Sequence, residues 1–192
     1  MKSVLIINGH PDSSPERLTS ALATAYQKGA EEAGHNVQLI DVGALHFPIL
    51  RNAAEFASPA TDNAVVEARA AFLKADHIVF IFPLWLGGLP ALLKAFLEQV
   101  ACGQFLLRER KHGFPLGGLK GRSASVIVTM GMPPLFYRVI FGACGIKALT
   151  QGILRMAGLS PVHTTFYGGS DITRPNSERL IEKLCQMGRR AS

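Results

Sequence analysis

The sequence has 192 residues, of which 48% are hydrophobic and 18% are charged, and its formal net charge is +6. This length suits a single domain, residues 1–192, and the apolar content excludes intrinsic disorder. The twenty Lys and Arg residues are spread along the chain, so no nucleic-acid-binding surface is expected. A diffuse positive charge suits anionic small ligands, such as nucleotide phosphates.

The three cysteines, Cys102, Cys144 and Cys185, are far apart in the sequence and form no CxxC pair. This pattern predicts free thiols in a cytoplasmic protein, without a disulfide framework or a zinc site. The histidines show no metal-ligand spacing, so no metal is expected. The longest uncharged stretch, residues 78–93, is too short for a transmembrane helix and contains Pro83, so no membrane insertion is expected.

The chain begins with a pattern of strand, loop, helix and strand. Residues 3–8 (SVLIIN) predict a buried strand, and the loop GHPDSSP follows it. Apolar residues at helical spacing then predict a helix that ends at Gly34, and a second strand is predicted at residues 37–42. Ser13 and Glu16 have the spacing of a capping box at the helix start. This order is that of a βαβ unit, whose crossover is almost always right-handed.

The central strand is predicted at residues 77–82 (HIVFIF), which are suited to burial on both faces of a sheet. Pro83 should end this strand, because proline has no N–H to donate. The next loop, residues 84–88 (LWLGG), is apolar, and a helix follows from Pro90. A loop that contains Trp85 needs a cover. The rest of the chain, a second subunit or a flat aromatic cofactor would each provide one.

Two irregular segments and two further strands complete the pattern. Residues 45–60 and 102–121 have no clear period and are predicted to be long loops. Strands are predicted at residues 125–129 and 162–167. The apolar residues 135–154 should contain at least one helix.

Five predicted strands alternate with helices, and a closing helix is predicted at residues 177–189. This order predicts a doubly wound, three-layer α/β fold with five parallel strands in the flavodoxin-like order 2-1-3-4-5. In that order, strands one and three flank the switch point where ligands bind. The loops after strands one, three and four should therefore meet at one edge of the sheet.

The first of these loops is suited to binding an anion. Unpaired N–H groups and the helix dipole attract negative charge at a helix start. His10, Arg17 and Thr19 can add side-chain donors to a phosphate. An ordinary capped helix with an exposed arginine explains the same residues. The loop has no GxGxxG motif, so Rossmann-type NAD binding is disfavoured, although Asp41 ends strand two.

The other two loops offer different groups to a ligand. The second gives an apolar wall around Trp85, and the third gives Thr129 and the backbone amides around Gly131. Donors at this place would stabilise the negative charge that builds at the pyrimidine end of a flavin on reduction. Tyr137 is a candidate to hydrogen-bond a substrate oxygen, or it packs beside Phe136. A serine hydrolase is disfavoured because GxSxG is absent.

Three segments carry a resemblance to a known family. GHPDSS with LTSAL, FPLWLGGLPALLKAFLEQV and LKGRSASVIVTMGMP resemble the flavodoxin-like NAD(P)H:quinone oxidoreductases, which include DT-diaphorase and bacterial quinone and drug reductases. The resemblance runs over nearly the whole chain and is most specific at residues 77–100 and 119–134. It implies a bound FMN or FAD, NAD(P)H as co-substrate, two-electron reduction of a quinone-like acceptor, and homodimers with active sites at the subunit interface.

The resemblance also implies which residues bind the flavin. They are His10, Arg17, Leu18 and Thr19 in the phosphate loop, Pro83, Leu84, Trp85 and Leu86 along the flavin edge, and Thr129, Met130 and Gly131 in the segment that matches Thr-Thr-Gly-Gly. Tyr137 is a loose counterpart of the tyrosine that handles the proton in DT-diaphorase, and no histidine follows it nearby. This chain departs from the family pattern at Arg17, Leu86 and Met132, where Ser, Trp and Gly are common.

The sequence and the resemblance together predict a flavin-dependent NAD(P)H oxidoreductase that works by ping-pong hydride transfer, with Tyr137 as proton or hydrogen-bond donor. Two alternatives stay open, namely a one-electron carrier of the flavodoxin type and a flavin-binding regulatory subunit of another system. The carrier is disfavoured because flavodoxins tend to be acidic, whereas this chain is basic. A homodimer is expected because residues 135–149 are too apolar to lie open to solvent.

Overall fold

A parallel β-sheet forms the centre of the fold. The computed structural model describes residues 1–108, 116–172 and 174–191. Five parallel strands lie in the order β2-β1-β3-β4-β5, which confirms the predicted flavodoxin-like order. The strands are β1 (Ser3–Asn8), β2 (Asn36–Asp41), β3 (His77–Pro83), β4 (Ser123–Met130) and β5 (Val162–Gly168).

Helices cover both faces of the sheet. They are α1 (Leu18–Glu32), α2 (Ala53–Ala57), α3 (Asn63–Lys74), α4 (Ala91–Ala101), α5 (Pro134–Ile140), α6 (Cys144–Leu149) and α7 (Arg174–Arg190). A π-helical segment (Thr150–Arg155) follows α6, and a two-residue ribbon pairs Leu107–Arg108 with Leu116–Gly117. Within the described ranges, no helix combines the length and the apolar content that crossing a bilayer requires.

Side chains of β3 alternate between two hydrophobic cores, because successive residues of a strand point to opposite faces. Val79 and Ile81 lie in the core under α1 and α7. Ile78, Phe80 and Phe82 lie in the core under α3, α4 and α6. Burial on both faces explains why this stretch of sequence has no polar side, and it makes β3 the fixed centre of the three-layer fold.

The start of α1 differs from the prediction. The capping box of Ser13 and Glu16 does not form; the helix begins at Leu18, and its N-cap residue is Arg17, without a side-chain cap. Ser14 forms a turn ahead of the helix instead: its carbonyl accepts from Arg17 N at 3.1 Å and its Oγ accepts from Glu16 N at 3.4 Å. The unpaired amides of the helix start therefore lie further along the chain than the capping box predicts.

The two irregular segments are only partly irregular. Residues 45–60 contain α2, which starts where the Asn52 side chain accepts a hydrogen bond from Glu55 N at 2.9 Å. None of the α2 residues is buried, so the sequence has no hydrophobic period there to detect. In the predicted loop 102–121, residues 109–115 lie outside the described residues.

His77 is a buried titratable group at the start of β3. It is 1% exposed, and its Nδ1 shares a hydrogen bond with Ser123 Oγ over 2.7 Å. Burial lowers the pKa of His77 from its ordinary 6.5 to about 4, and the charges of Lys2 and His163 add to this effect. The folded protein therefore holds His77 neutral at pH values where the unfolded chain takes up a proton.

This difference predicts acid destabilisation. Because the folded-state pKa is depressed, the stabilisation is fully present above pH 6.5 and is lost as the pH falls towards 4. The loss is on the order of 3 kcal/mol of unfolding free energy. We expect urea denaturation at pH 7 and pH 4.5 to show a smaller pH-dependent loss in His77→Gln than in the wild type. The exposed His46 provides the control, and His46→Gln should behave like the wild type. Equal losses in wild type and His77→Gln would contradict the assignment.

Candidate active site

The loops that follow β1, β3 and β4 meet at the carboxyl end of the sheet. Gly9 N donates to Ile81 O at 2.8 Å and joins the first loop to β3, and Leu84 N donates to Thr129 O at 2.7 Å and joins the second loop to β4. Because the Leu84 bond extends the ladder, Pro83 is the last residue of β3, one residue beyond the predicted strand. The three loops therefore lie side by side at the switch point between β1 and β3.

The start of α1 offers unpaired donors to an anion. The amides of Leu18 and Thr19 belong to the first helical turn, where no earlier helical carbonyl can accept from them. Thr19 is only 2% exposed, and its buried Oγ1 has no hydrogen-bond partner among the described residues. A buried polar group without a partner is costly, so this turn is better suited to a bound phosphate than to an empty state.

His10 connects the first loop with the second. The Asp12 amide donates to His10 Nδ1 at 2.9 Å, so the neutral imidazole carries its hydrogen on Nε2. The His10 ring meets the Trp85 ring edge to face, with 5.9 Å between the ring centroids. His10 therefore stands at the boundary between the polar first loop and the apolar second loop.

Arg17 forms an ion pair that sequence reasoning did not identify. Its Nε lies 2.7 Å and its Nη2 2.5 Å from Asp12 Oδ2. The backbone amide of Ser14 lowers the pKa of Asp12 most, and the Arg17 hydrogen bond lowers it further. The carboxylate is therefore charged at neutral pH and competes with any phosphate for Arg17. The only sequence signal was two opposite charges, five residues apart, just before a helix, and solvated side chains give the same pattern.

The second loop is a tight turn, Trp85–Gly88, with exposed side chains. Trp85 N donates to Gly88 O at 3.0 Å, and Gly88 N donates to Trp85 O at 2.9 Å. Trp85 is 47% exposed and Leu86 is fully exposed, whereas Leu84 is half-buried and packs against the core. The apolar wall that the sequence predicts is present, and its outer side is open to a flat ring.

The third loop contributes backbone rather than side chains. Thr129 and Met130 are buried at the end of β4, and Met130 packs in the core under α3 and α4. Met130 can therefore offer only backbone groups to a ligand. Gly131 is exposed, and a Cβ placed on it would meet nothing within 4 Å. Packing within the chain does not require glycine there, so the space beside Gly131 is free for a ligand.

Tyr137 is fully buried, and its hydroxyl donates to Gly87 O at 2.9 Å. Burial raises the pKa of Tyr137, and the backbone amides of Ile146 and Gly145 partly oppose that rise. The phenol is therefore neutral at physiological pH and retains the hydrogen that it donates. To reach a substrate, the hydroxyl would have to leave Gly87. Its role as a donor to substrate stays a prediction that this geometry does not favour.

A separate cleft of about 550 Å³ lies between α2, α4 and the π-helical segment. Its lining is mainly apolar, with Phe56, Leu97 and Ile153, and includes none of the predicted site residues. In the part of the chain that the structure describes, no group of His, Cys, Asp or Glu side chains is arranged to hold a metal. At the carboxyl end of the sheet, by contrast, a polar residue of the first loop, His10, lies beside the apolar Trp85 of the second.

Comparisons with known proteins extend over almost the whole chain. A family model described as a flavodoxin-like fold matches residues 2–190. An uncharacterized NAD(P)H oxidoreductase of Haemophilus influenzae is 31% identical over 186 residues, which cover 94% of this chain and 90% of that protein. An FMN-dependent NADH:quinone oxidoreductase of Caldicellulosiruptor saccharolyticus is 26% identical over 139 residues, which cover 68% of this chain and 69% of that protein.

Among solved structures, Smu.1420 from Streptococcus mutans superposes with a TM-score of 0.82 at 29% identity, over 98% of this chain and 99% of that one. The resemblance to NAD(P)H:quinone oxidoreductases that the sequence motifs carry is confirmed by these relatives. Because the family model spans the chain from residue 2 to residue 190, this protein belongs to the family with the flavodoxin-like fold.

Proposed function

We propose that this protein binds FMN and transfers hydride from NAD(P)H to a quinone-like acceptor. The observation that carries the proposal is the contact of His10 with Trp85, which sets an anion-binding helix start beside an exposed apolar wall. FMN joins a phosphate and a flat aromatic ring through a short chain, so it matches both parts. The names of the Haemophilus and Caldicellulosiruptor relatives support the same assignment.

FMN would be held at three places. The amides of the first α1 turn, Thr19 Oγ1 and Arg17 would bind the phosphate. The turn at Trp85 would run along the ring, and the backbone at Gly131 would meet its pyrimidine end. The residues that we assign to the cofactor are His10, Arg17, Leu18, Thr19, Pro83, Leu84, Trp85, Leu86, Thr129, Met130 and Gly131. FAD is the alternative cofactor, and the FMN dependence of the named relative favours FMN.

When bound, the flavin supplies the hydride chemistry. The chain binds and orients the reactants and excludes water from them. Trp85 and Leu86 would cover the ring edge, and the Gly131 amide would donate to the negative charge that reduction builds at the pyrimidine end. Because Tyr137 is buried against Gly87, we assign no proton transfer to it, and the proton would come from solvent or from the acceptor pocket.

We further propose that residues 1–192 act as one domain in the cytoplasm. Cys102, Cys144 and Cys185 are all free thiols. Free cysteines are typical of a reducing compartment, where glutathione and thioredoxin keep thiols reduced.

The two half-reactions test the enzyme assignment. We expect FMN-reconstituted protein to be bleached by NADH or NADPH in the absence of oxygen, and the yellow colour to return on addition of a quinone. Stopped-flow absorbance follows each step separately, so ping-pong behaviour is visible as reduction without acceptor. Mass spectrometry of the released cofactor separates FMN from FAD. Bound flavin that neither nicotinamide reduces would contradict the assignment and favour an electron carrier.

The Arg17–Asp12 ion pair predicts opposite effects of two substitutions on phosphate binding. Arg17→Ala should weaken FMN binding about tenfold, because it removes a charge-assisted hydrogen bond. Asp12→Asn should strengthen FMN binding, because it frees Arg17 from a competing carboxylate. Calorimetric titration measures both, and riboflavin, which lacks the phosphate, is the control ligand. Equal effects of Arg17→Ala on FMN and riboflavin would show that Arg17 does not contact the phosphate.

We also propose a homodimer that is formed through α5. Leu135, Phe136, Val139 and Ile140 are each at least half exposed, and Tyr137 is the buried residue of this helix. Such a concentration of large apolar side chains is unfavourable in water, and an identical partner would cover it. The patch adjoins the Trp85–Gly88 turn through the Tyr137 hydrogen bond, so a partner at α5 would lie next to the candidate site.

Light scattering on a size-exclusion column tests the dimer. We expect a dimer mass for the wild type and a monomer mass for Val139→Glu, because a buried unpaired carboxylate opposes association. Val66 on α3 is also a valine with an exposed side chain, 47% against 68% for Val139, and it provides the control: Val66→Glu should stay dimeric. A wild-type monomer at low micromolar concentration would contradict the dimer. A dimeric Val139→Glu variant would exclude α5 as its interface.

A further inference from the structure

The Trp85–Gly88 turn holds one residue, Leu86, in a backbone conformation that leucine does not favour. Leu86 has φ of 48° and Gly87 has φ of 79°, so both central residues lie in the left-handed region. A leucine is disfavoured there because its Cβ crowds the backbone. The Leu86 side chain is fully exposed, so its own packing cannot fix the turn. Such conformations persist where the surrounding structure holds them in place.

Tyr137 supplies one contact that holds the turn. Its hydroxyl donates to Gly87 O at 2.9 Å, and the whole side chain is buried. Its ring packs between Phe141, with centroids 6.1 Å apart, and Phe166, with centroids 5.9 Å apart. The phenol therefore reaches the Gly87 carbonyl from a position that neighbouring rings fix.

Gly145 supplies the second contact, from the first turn of α6. A Cβ at Gly145 would lie 2.1 Å from Gly87 O and 2.7 Å from Gly88 Cα. No side chain fits in that space, so the backbone of α6 packs directly on the backbone of the turn. On the side of the turn that faces away from α6 there is open space, because a Cβ added at Gly87 or Gly88 would meet nothing within 4 Å.

We infer that Tyr137 is a positioning residue for the flavin: with Gly145 it fixes the Trp85–Gly88 turn, and thereby Trp85, at the place where the ring binds. This inference rests on the proposed function for its ligand. In this role Tyr137 acts by holding Gly87 in place and does not contact the acceptor directly. This inference also makes α5, which carries the proposed dimer face, and α6 the support of the cofactor-binding turn.

The test uses the apoprotein, because Trp85 is the single tryptophan of the chain and reports on the turn without any flavin. Tyr137→Phe removes only the hydroxyl that reaches Gly87. Tyr167→Phe is its matched control, since the buried Tyr167 hydroxyl has no hydrogen-bond partner among the described residues. Gly145→Ala adds a Cβ against the turn, and Gly152→Ala adds one where nothing lies within 4 Å.

We expect Tyr137→Phe and Gly145→Ala to raise acrylamide quenching of Trp85 and to lower its fluorescence anisotropy, while both controls match the wild type. FMN affinity should fall about fivefold in Tyr137→Phe, the effect of losing one hydrogen bond. Should Gly145→Ala fail to fold, Tyr137→Phe alone decides the question.

The inference is overturned if Tyr137→Phe lowers the melting temperature but leaves Trp85 quenching, anisotropy and FMN affinity equal to those of Tyr167→Phe. That result would make Tyr137 a packing residue only. A second outcome is that the wild-type protein binds no FMN, while Tyr137→Phe still makes Trp85 more mobile. That outcome would overturn the proposed function and would support the role of Tyr137 in fixing the turn. The two failures are therefore distinguishable.

Discussion

Hydrogen bonds at the carboxyl ends of β1, β3 and β4 hold the three loops of the candidate site together. Two backbone hydrogen bonds, from Gly9 N to Ile81 O and from Leu84 N to Thr129 O, continue the strand ladders into the loops. The first residues of the loops are therefore held next to the neighbouring strand. The polar start of α1, the apolar turn at Trp85 and the open backbone at Gly131 are brought to one edge as a consequence. A doubly wound sheet places ligands at this switch point because the loops there diverge to opposite faces.

The three loops differ in chemistry, and each difference follows from its surroundings. The first carries charge, and the Arg17–Asp12 ion pair means that a bound phosphate would compete with the Asp12 carboxylate for one guanidinium. The second carries apolar surface on a turn that is held from behind by Tyr137. The third carries backbone donors, because Met130 is committed to the core and Gly131 has no side chain. Together they suit a cofactor with an anionic end, a flat apolar body and a polar rim.

The strands, the helices and their order could be predicted from the sequence, because they depend on the local pattern of apolar residues. The buried run at β3 and the alternation of strands and helices are sufficient for the sheet order, and the loops at the strand ends follow from it. The start of α1 could not be predicted well, because the serines at 13 and 14 have the chemistry of helix caps, whereas the helix begins at Leu18 without a side-chain cap and Ser14 forms a turn ahead of it. The burial of Tyr137 involves contacts with Gly87 and Phe166, which are distant from it in sequence, and no local signal encodes them.

The central claim is that FMN binds across these three loops, with its ring beside Trp85. Titration of the apoprotein with FMN, followed by the fluorescence of Trp85, tests the claim most directly because the chain has no other tryptophan. We expect saturable quenching of Trp85 at one FMN per chain, with tighter binding of FMN than of riboflavin. Trp85 fluorescence that stays unchanged through micromolar FMN, in a folded apoprotein, would contradict it.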